Sequence, residues 1–209
     1  MSENPTTPEL FRRWMDLCQR LGLEGEVEWE TLDRHYVQSQ RTYHNLTHIA
    51  DCLKQLDSYP HQIQDPVSLE VAIWFHDLIY DPRASDNEAR SAEEAARFLG
   101  DCPLIPKIHR LILATRHQGE ASPGDEELIA DIDLSILGSE FPVYQNYASA
   151  IRSEYSFVIE PDYIAGRTKV LSAFLERPHI FSTSYFRTTL ESIARRNLES
   201  EIRSLASQC

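Results

Sequence analysis

The sequence has little glycine, no closely spaced cysteines, a shortage of basic residues and no long apolar run, and each shortage excludes something. Seven glycines and an even scatter of prolines leave no linker-like tract, internal repeat or low-complexity segment in 209 residues. That length is enough to bury one sizeable core, so a single domain over residues 1–209 is expected. Cys18, Cys52, Cys102 and Cys209 lie far apart and form no CxxC pair, which points to a reduced, cytoplasmic protein. No apolar stretch approaches the ~18 residues of a membrane span. Met1 to Pro8 is polar, with neither the basic nor the apolar region of a signal peptide, so export is not expected. The formal charge of −13 argues against long nucleic acid, whose binding rests on basic contacts to phosphate. Such a charge also keeps a protein soluble. It is compatible with a small phosphorylated substrate where a metal and a few local cations offset the field. Alternation with period two is nowhere sustained, and the fold expected is all-α.

What the chain does have is an apolar run, Ala72-Ile73-Trp74-Phe75-His76-Asp77-Leu78-Ile79-Tyr80-Asp81, that sets a histidine beside an aspartate. With no fully polar face it reads as a helix near the domain centre, with Asp65 as N-cap and Pro66 at the first helical position. A buried imidazole and carboxylate left unpaired would cost roughly 1–3 kcal/mol each, and more for a charge. A divalent cation would satisfy both. Around this stretch the spacing predicts helices from Thr7 to Gly22, from Val27 to Gln40 (inner face Trp29, Leu32, Tyr36 and Val37), and from about Arg41 through Leu56. After Asp81–Ser85, Asp86 is expected to cap a helix ending at Gly100. Further helices are expected over Pro103–Thr115, Pro123–Leu137, Pro142–Val158, Asp162–Leu175 and Tyr185–Ala206.

His44 and His48 are four residues apart, which on a helix places them on one face about 5–6 Å apart at Cβ. That spacing suits a metal pair, a ligand with an acid–base group, or two ordinary helix-start histidines. His76-Asp77 is a common dipeptide. Asp131 and Asp133 form either a solvated acidic turn or, within their apolar helix, a place where one carboxylate points inward. Taken in order, paired histidines, His-Asp and a later aspartate make a plausible N/O ligand set for a hard or borderline divalent ion.

Tyr43-His44-Asn45-(two residues)-His48, then His76-Asp77, then Asp133-Leu134-Ser135 resembles the HD superfamily of metal-dependent phosphohydrolases. The nearer likeness is to the bacterial branch known as "predicted HD-superfamily hydrolase". Its motifs are matched by Trp74-Phe75-His76-Asp77, Asn87-Glu88-(two residues)-Ser91-Ala92, Ala114-Thr115-(one residue)-His117 and Asp131-(one residue)-Asp133-Leu134-Ser135-Ile136-Leu137-Gly138. Ile151–Tyr155, Gly166-Arg167 and Ala194–Leu198 fit the same branch, so the likeness covers nearly the whole chain.

The resemblance implies a single-domain HD-type helical bundle, with a metal-site core over about 41–138 and C-terminal helices over 140–207 packing on it. It makes His48, His76, Asp77 and Asp133 the metal ligands. The first motif also looks like that of cyclic-nucleotide phosphodiesterases, which makes His44 the acid facing the leaving oxygen; Asp77 could also accept a proton. Asp133 rather than Asp131 is the ligand because Asp-Leu-Ser places it in register, leaving Asp131 to an outer role. Asn87 and Glu88 are site residues by resemblance, or first-turn residues complementing a helix dipole. His117 binds a second metal or a substrate phosphate, or is a plain loop histidine. Arg152, Tyr155, Arg167 and Lys169 meet an anionic substrate, or are solvated or paired. Tyr43 and Asn45 orient the histidines, while His35, His61, His109 and His179 read as structural or surface residues. No purine-gripping glutamine is found and the chain is shorter than a phosphodiesterase catalytic domain, so cyclic nucleotides are not the implied substrate. The expectation is hydrolysis of a small phosphomonoester or phosphodiester, nucleotides included, with one or two ions of manganese, iron, nickel, cobalt, zinc or magnesium. The rivals are an HD-type di-iron oxygenase and a non-catalytic, metal-stabilised helical binding module. Membrane and long nucleic acid are not expected partners, and the oligomeric state is open.

Overall fold

The helical periodicity is realised in the computed structural model, which describes residues 7–119 and 121–208. Residues 1–6, most of the polar start, and Cys209 lie outside the described residues. Ten α-helices are found among them: α1 Thr7–Leu21, α2 Glu26–Tyr36, α3 Leu46–Ser58, α4 Pro66–Phe75, α5 Asn87–Leu99, α6 Ile105–Ala114, α7 Asp125–Leu134, α8 Phe141–Glu154, α9 Glu160–Glu176 and α10 Ser184–Ala206. A 3-10 turn, Ser135–Gly138, follows α7, and no strand occurs among the described residues. No described helix is long and apolar enough to cross a membrane. The chain divides into two compact units, one up to Ile129 and one from Ala130 onward.

In the first unit, α4 packs against α1, α3, α5 and α6, and every side chain from Ser68 to Phe75 is buried. Trp14 of α1 meets Trp74 edge-on at 5.6 Å between ring centroids and tilts against Phe75 at 6.0 Å. Its indole N–H donates to the Gly25 carbonyl at 2.8 Å. A Cβ at Gly25 would stand 2.6 Å from the Cys18 sulfur, so the close approach requires glycine there. Glu70 is the one acid on the buried face of α4. Arg13 and Arg20 bind its two carboxylate oxygens at 2.8 and 2.6 Å, which makes its burial tolerable.

The start of α4 is as the sequence predicts. Pro66 occupies the first turn, and Asp65 accepts from the Ser68 N–H at 3.0 Å and the Ser68 hydroxyl at 2.7 Å. Burial pushes the Asp65 carboxyl up. The two Ser68 bonds and the Lys107 ammonium outweigh that and hold it below its ordinary 3.8. A carboxyl depressed by folding stabilises the fold above its unfolded value and loses that contribution as pH falls through the folded one. Asp65→Ala is therefore expected to lower stability by about 1 kcal/mol at neutral pH. Urea unfolding midpoints of the two proteins should converge as pH falls below about 3.8.

Several features differ from the spacing. The second helix ends at Tyr36 rather than Gln40, and Val37, expected on its inner face, is 63% exposed. The chain turns there so that the Arg41 side chain enters the core instead. The central helix ends at Phe75, so His76 and Asp77 lie in the turn that terminates it and not inside it. Asp86 precedes α5, but its side chain makes no capping bond.

In the second unit, α10 packs against the 3-10 turn, α8 and α9. Asn197 donates to the carbonyls of Leu137 and Ser139, both at 2.9 Å. Gly138 lies so close to α10 that a Cβ there would meet Leu190 Cβ at 2.5 Å.

Candidate metal centre

A helix leaves its last four carbonyls without partners in the helix. At the end of α4 each finds one, and these bonds build the site. Ala72 O accepts from the His76 N–H at 2.9 Å, and Phe75 O from the Leu78 N–H at 2.9 Å. Trp74 O accepts from the Tyr36 hydroxyl at 2.8 Å. Burial and the nearby Asp77 charge push that phenol well above its usual 10, so it stays a neutral donor. Ile73 O pairs with His76 Nδ1 at 2.9 Å. A carbonyl only accepts, so the imidazole proton sits on Nδ1 and, in the neutral ring, Nε2 presents a lone pair.

That lone pair faces the interior of the first unit. His76 Nε2 lies 3.2 Å from His48 Nε2 and 3.1 Å from Asp77 Oδ2, with His48 Nε2 3.5 Å from the same oxygen. Both histidines are nearly inaccessible to solvent. Ligand atoms about 2.0–2.2 Å from one ion stand about 2.9–3.5 Å apart at octahedral to tetrahedral angles. A single proton can bridge two of these three atoms and leaves the third facing a lone pair. One cation satisfies all three. The residues therefore fit a divalent ion.

His48 reaches this point from the first turn of α3, whose N-cap is Asn45, its side chain accepting from the Thr47 N–H at 2.8 Å. His44 consequently precedes the helix and does not share a helical face with His48. Its half-buried ring stacks on Tyr80 at 4.2 Å and stands 6.0 Å from the His48 ring. Tyr43 packs between them, 4.9 Å from His44 and 4.8 Å from His48.

Two motif residues hold the segment that follows Asp77. Ser91 Oγ accepts from the Ile79 N–H at 3.0 Å, and Asn87 exchanges bonds with the Asp81 main chain at 3.1 and 2.9 Å. Glu88 faces Arg116 at 3.6 Å. His117 lies just past α6 with φ of 54°, a left-handed conformation that histidine adopts more readily than most residues.

Other candidates lie in the second unit. Both oxygens of buried Asp131 are engaged at the start of α10, by the N–H groups of Ser182 and Thr183 and the Thr183 hydroxyl, each at 2.7 Å. Asp133 is half-buried two residues further along α7. Arg152 donates to the Tyr155 and Val158 carbonyls and pairs with Glu160 at 2.8 Å, closing the α8–α9 connection. Tyr155 stacks on Phe157 at 5.9 Å. Arg167 is buried in a two-bond pair with Glu201. Its charge stays fixed, since that pair and the neighbouring Tyr147 outweigh desolvation and hold its pKa well above the ordinary 12.5.

Sequence reasoning missed two residues. Cys52 lies one turn beyond His48, its sulfur 3.7 Å from His48 Nε2, and the i, i+4 spacing was the available signal. Arg41 gave no signal beyond standing two residues before Tyr43. It is 5% exposed, donates to the carbonyls of Asp77 at 2.6 Å and Leu78 at 2.7 Å, and reaches His44 O at 3.3 Å. One guanidinium thus ties the His-Asp turn to the segment carrying His44. Arg41→Ala leaves these carbonyls without their donor and is expected to lower stability by about 3 kcal/mol. Arg41→Lys should recover less than half, because a single ammonium cannot reproduce the fork. Urea unfolding of both variants checks this.

The chain was compared with protein-family models, curated proteins and solved structures, and none matches.

Proposed function

We propose that this chain is a metal-dependent phosphohydrolase of the HD type, acting on a small phosphomonoester or phosphodiester. The observation that carries the reading is the convergence of His48 Nε2, His76 Nε2 and Asp77 Oδ2 within 3.1–3.5 Å, with the His76 proton held on the opposite nitrogen. His48, His76 and Asp77 hold the ion, and Asp133 is the further ligand that the sequence resemblance assigns. The bound ion supplies an activated water, with a pKa lowered from ~15.7 towards ~7, and neutralises phosphoryl charge. Arg41 fixes the main chain on both sides of the site. His44, half-exposed and stacked on Tyr80, is the group that protonates the departing alkoxide. With two ions bound, Asp77 would also accept a proton from a bridging water.

The test is metal analysis of the untreated full chain, then a phosphate-release screen over nucleotides and small phosphoesters with manganese, iron, cobalt, nickel, zinc and magnesium. Turnover that requires an added or retained ion supports the reading. Tight metal binding without turnover on any member of the panel contradicts the hydrolase and leaves a metal-stabilised module.

A further inference from the structure

His44 stands in the turn before α3, so no helix sets the direction of its side chain. Its main-chain carbonyl accepts from Arg41 at 3.3 Å, which fixes the backbone but not the ring. The ring is held by aromatic neighbours. Tyr80 lies face to face with it, 4.2 Å between ring centroids and 26° between planes. Tyr43 meets it edge-on, at 4.9 Å and 83°. Tyr80 is itself anchored through the residues on either side of it. The Ile79 N–H donates to Ser91 Oγ at 3.0 Å, and the Asp81 main chain exchanges two bonds with the Asn87 side chain. Both anchors come from α5, and the Arg41 guanidinium stands 5.5 Å from the Tyr80 ring centroid. We infer that Tyr80 is a positioning residue, whose ring is the platform that holds His44 in the orientation from which it protonates the leaving oxygen. The inference rests on the proposed function and adds to it the residue that aims the acid. A general acid acts only within hydrogen-bond reach of the atom it serves. An imidazole free to turn about its side-chain bonds leaves that orientation, and the entropy of regaining it adds to the barrier. A flat ring pinned at both neighbouring residues keeps it there. The stack uses the ring and not the phenol hydroxyl, so phenylalanine can replace tyrosine and leucine cannot.

Nuclear magnetic resonance of the full chain with zinc added, a diamagnetic ion, reads the stack without reference to activity. The expected result is a His44 ring C–H signal moved upfield by the Tyr80 ring current, kept in Tyr80→Phe and lost in Tyr80→Leu. Kinetics read the role. On the alkyl phosphoester that the wild type turns over fastest, Tyr80→Leu should lower kcat by roughly 10–100-fold with KM unchanged. Tyr80→Phe should keep the wild-type rate. On nitrophenyl phosphate, whose leaving oxygen needs no proton, Tyr80→Leu should lose little. A wild-type His44 signal at the ordinary imidazole position overturns the inference, and this needs no variant to fold. Undiminished kcat of Tyr80→Leu on the alkyl ester also overturns it, as does an equal loss on both esters. In these cases metal-dependent turnover by the wild type leaves the proposed function standing. A wild type that hydrolyses aryl esters alone gives His44 no oxygen to protonate, and only the Tyr80 assignment falls. If the wild type turns over no phosphoester, both fall.

Discussion

Asp77→Ala is expected to abolish the proposed metal uptake and phosphate release together. The carboxylate stands against both His48 Nε2 and His76 Nε2, at 3.5 and 3.1 Å. Without it, the two imidazoles, 3.2 Å apart, lose an adjacent carboxylate charge that would favour ion capture. The fold should survive, because Arg41 bonds the Asp77 main-chain carbonyl and not its side chain. Metal content after dialysis, phosphate release and thermal unfolding of the same preparation test this. Full metal stoichiometry in the variant would remove Asp77 from the ligand set.

His44→Ala is expected to leave ion binding intact and to slow the proposed turnover by ~10²–10⁴, the usual worth of positioned acid–base help. Its ring stands beside the His48–His76 pair without belonging to it, stacked on Tyr80 and half-exposed. The loss should shrink strongly for an activated aryl phosphoester, whose leaving oxygen needs no proton. An equal loss on both substrates would assign His44 to positioning. Loss of metal from this variant would show that His44 and His48 have each other's roles.

The helices were legible because their apolar spacing is strong, and Asp65-Pro66 announced the start of α4 correctly. Its end was not legible. The run from Val71 to Ile79 is apolar throughout, and only the bonds to Tyr36 and Arg41 show why the chain leaves the helix after Phe75. The same ending puts His76 and Asp77 in a turn, where adjacent side chains can meet one point; within a helix they would diverge by about 100°. The approach of His48 to His76 followed from the family resemblance and not from the His44–His48 spacing, since His44 precedes α3. Both oxygens of Asp131 are taken by Ser182 and Thr183, and nothing in the sequence named these as its partners. Arg152 and Arg167 illustrate a general difficulty. A basic residue on a helix looks alike in sequence whether it awaits an anion or is spent on Glu160 and Glu201, and that depends on contacts between residues distant in the chain.

Diffraction from crystals of the untreated full chain, recorded on both sides of the absorption edge of the metal it retains, tests the centre itself. The expected result is one anomalous peak about 2.0–2.3 Å from His48 Nε2, His76 Nε2 and Asp77 Oδ2. A protein that retains no ion after growth and purification with metals present, or a peak away from these three atoms, would contradict it.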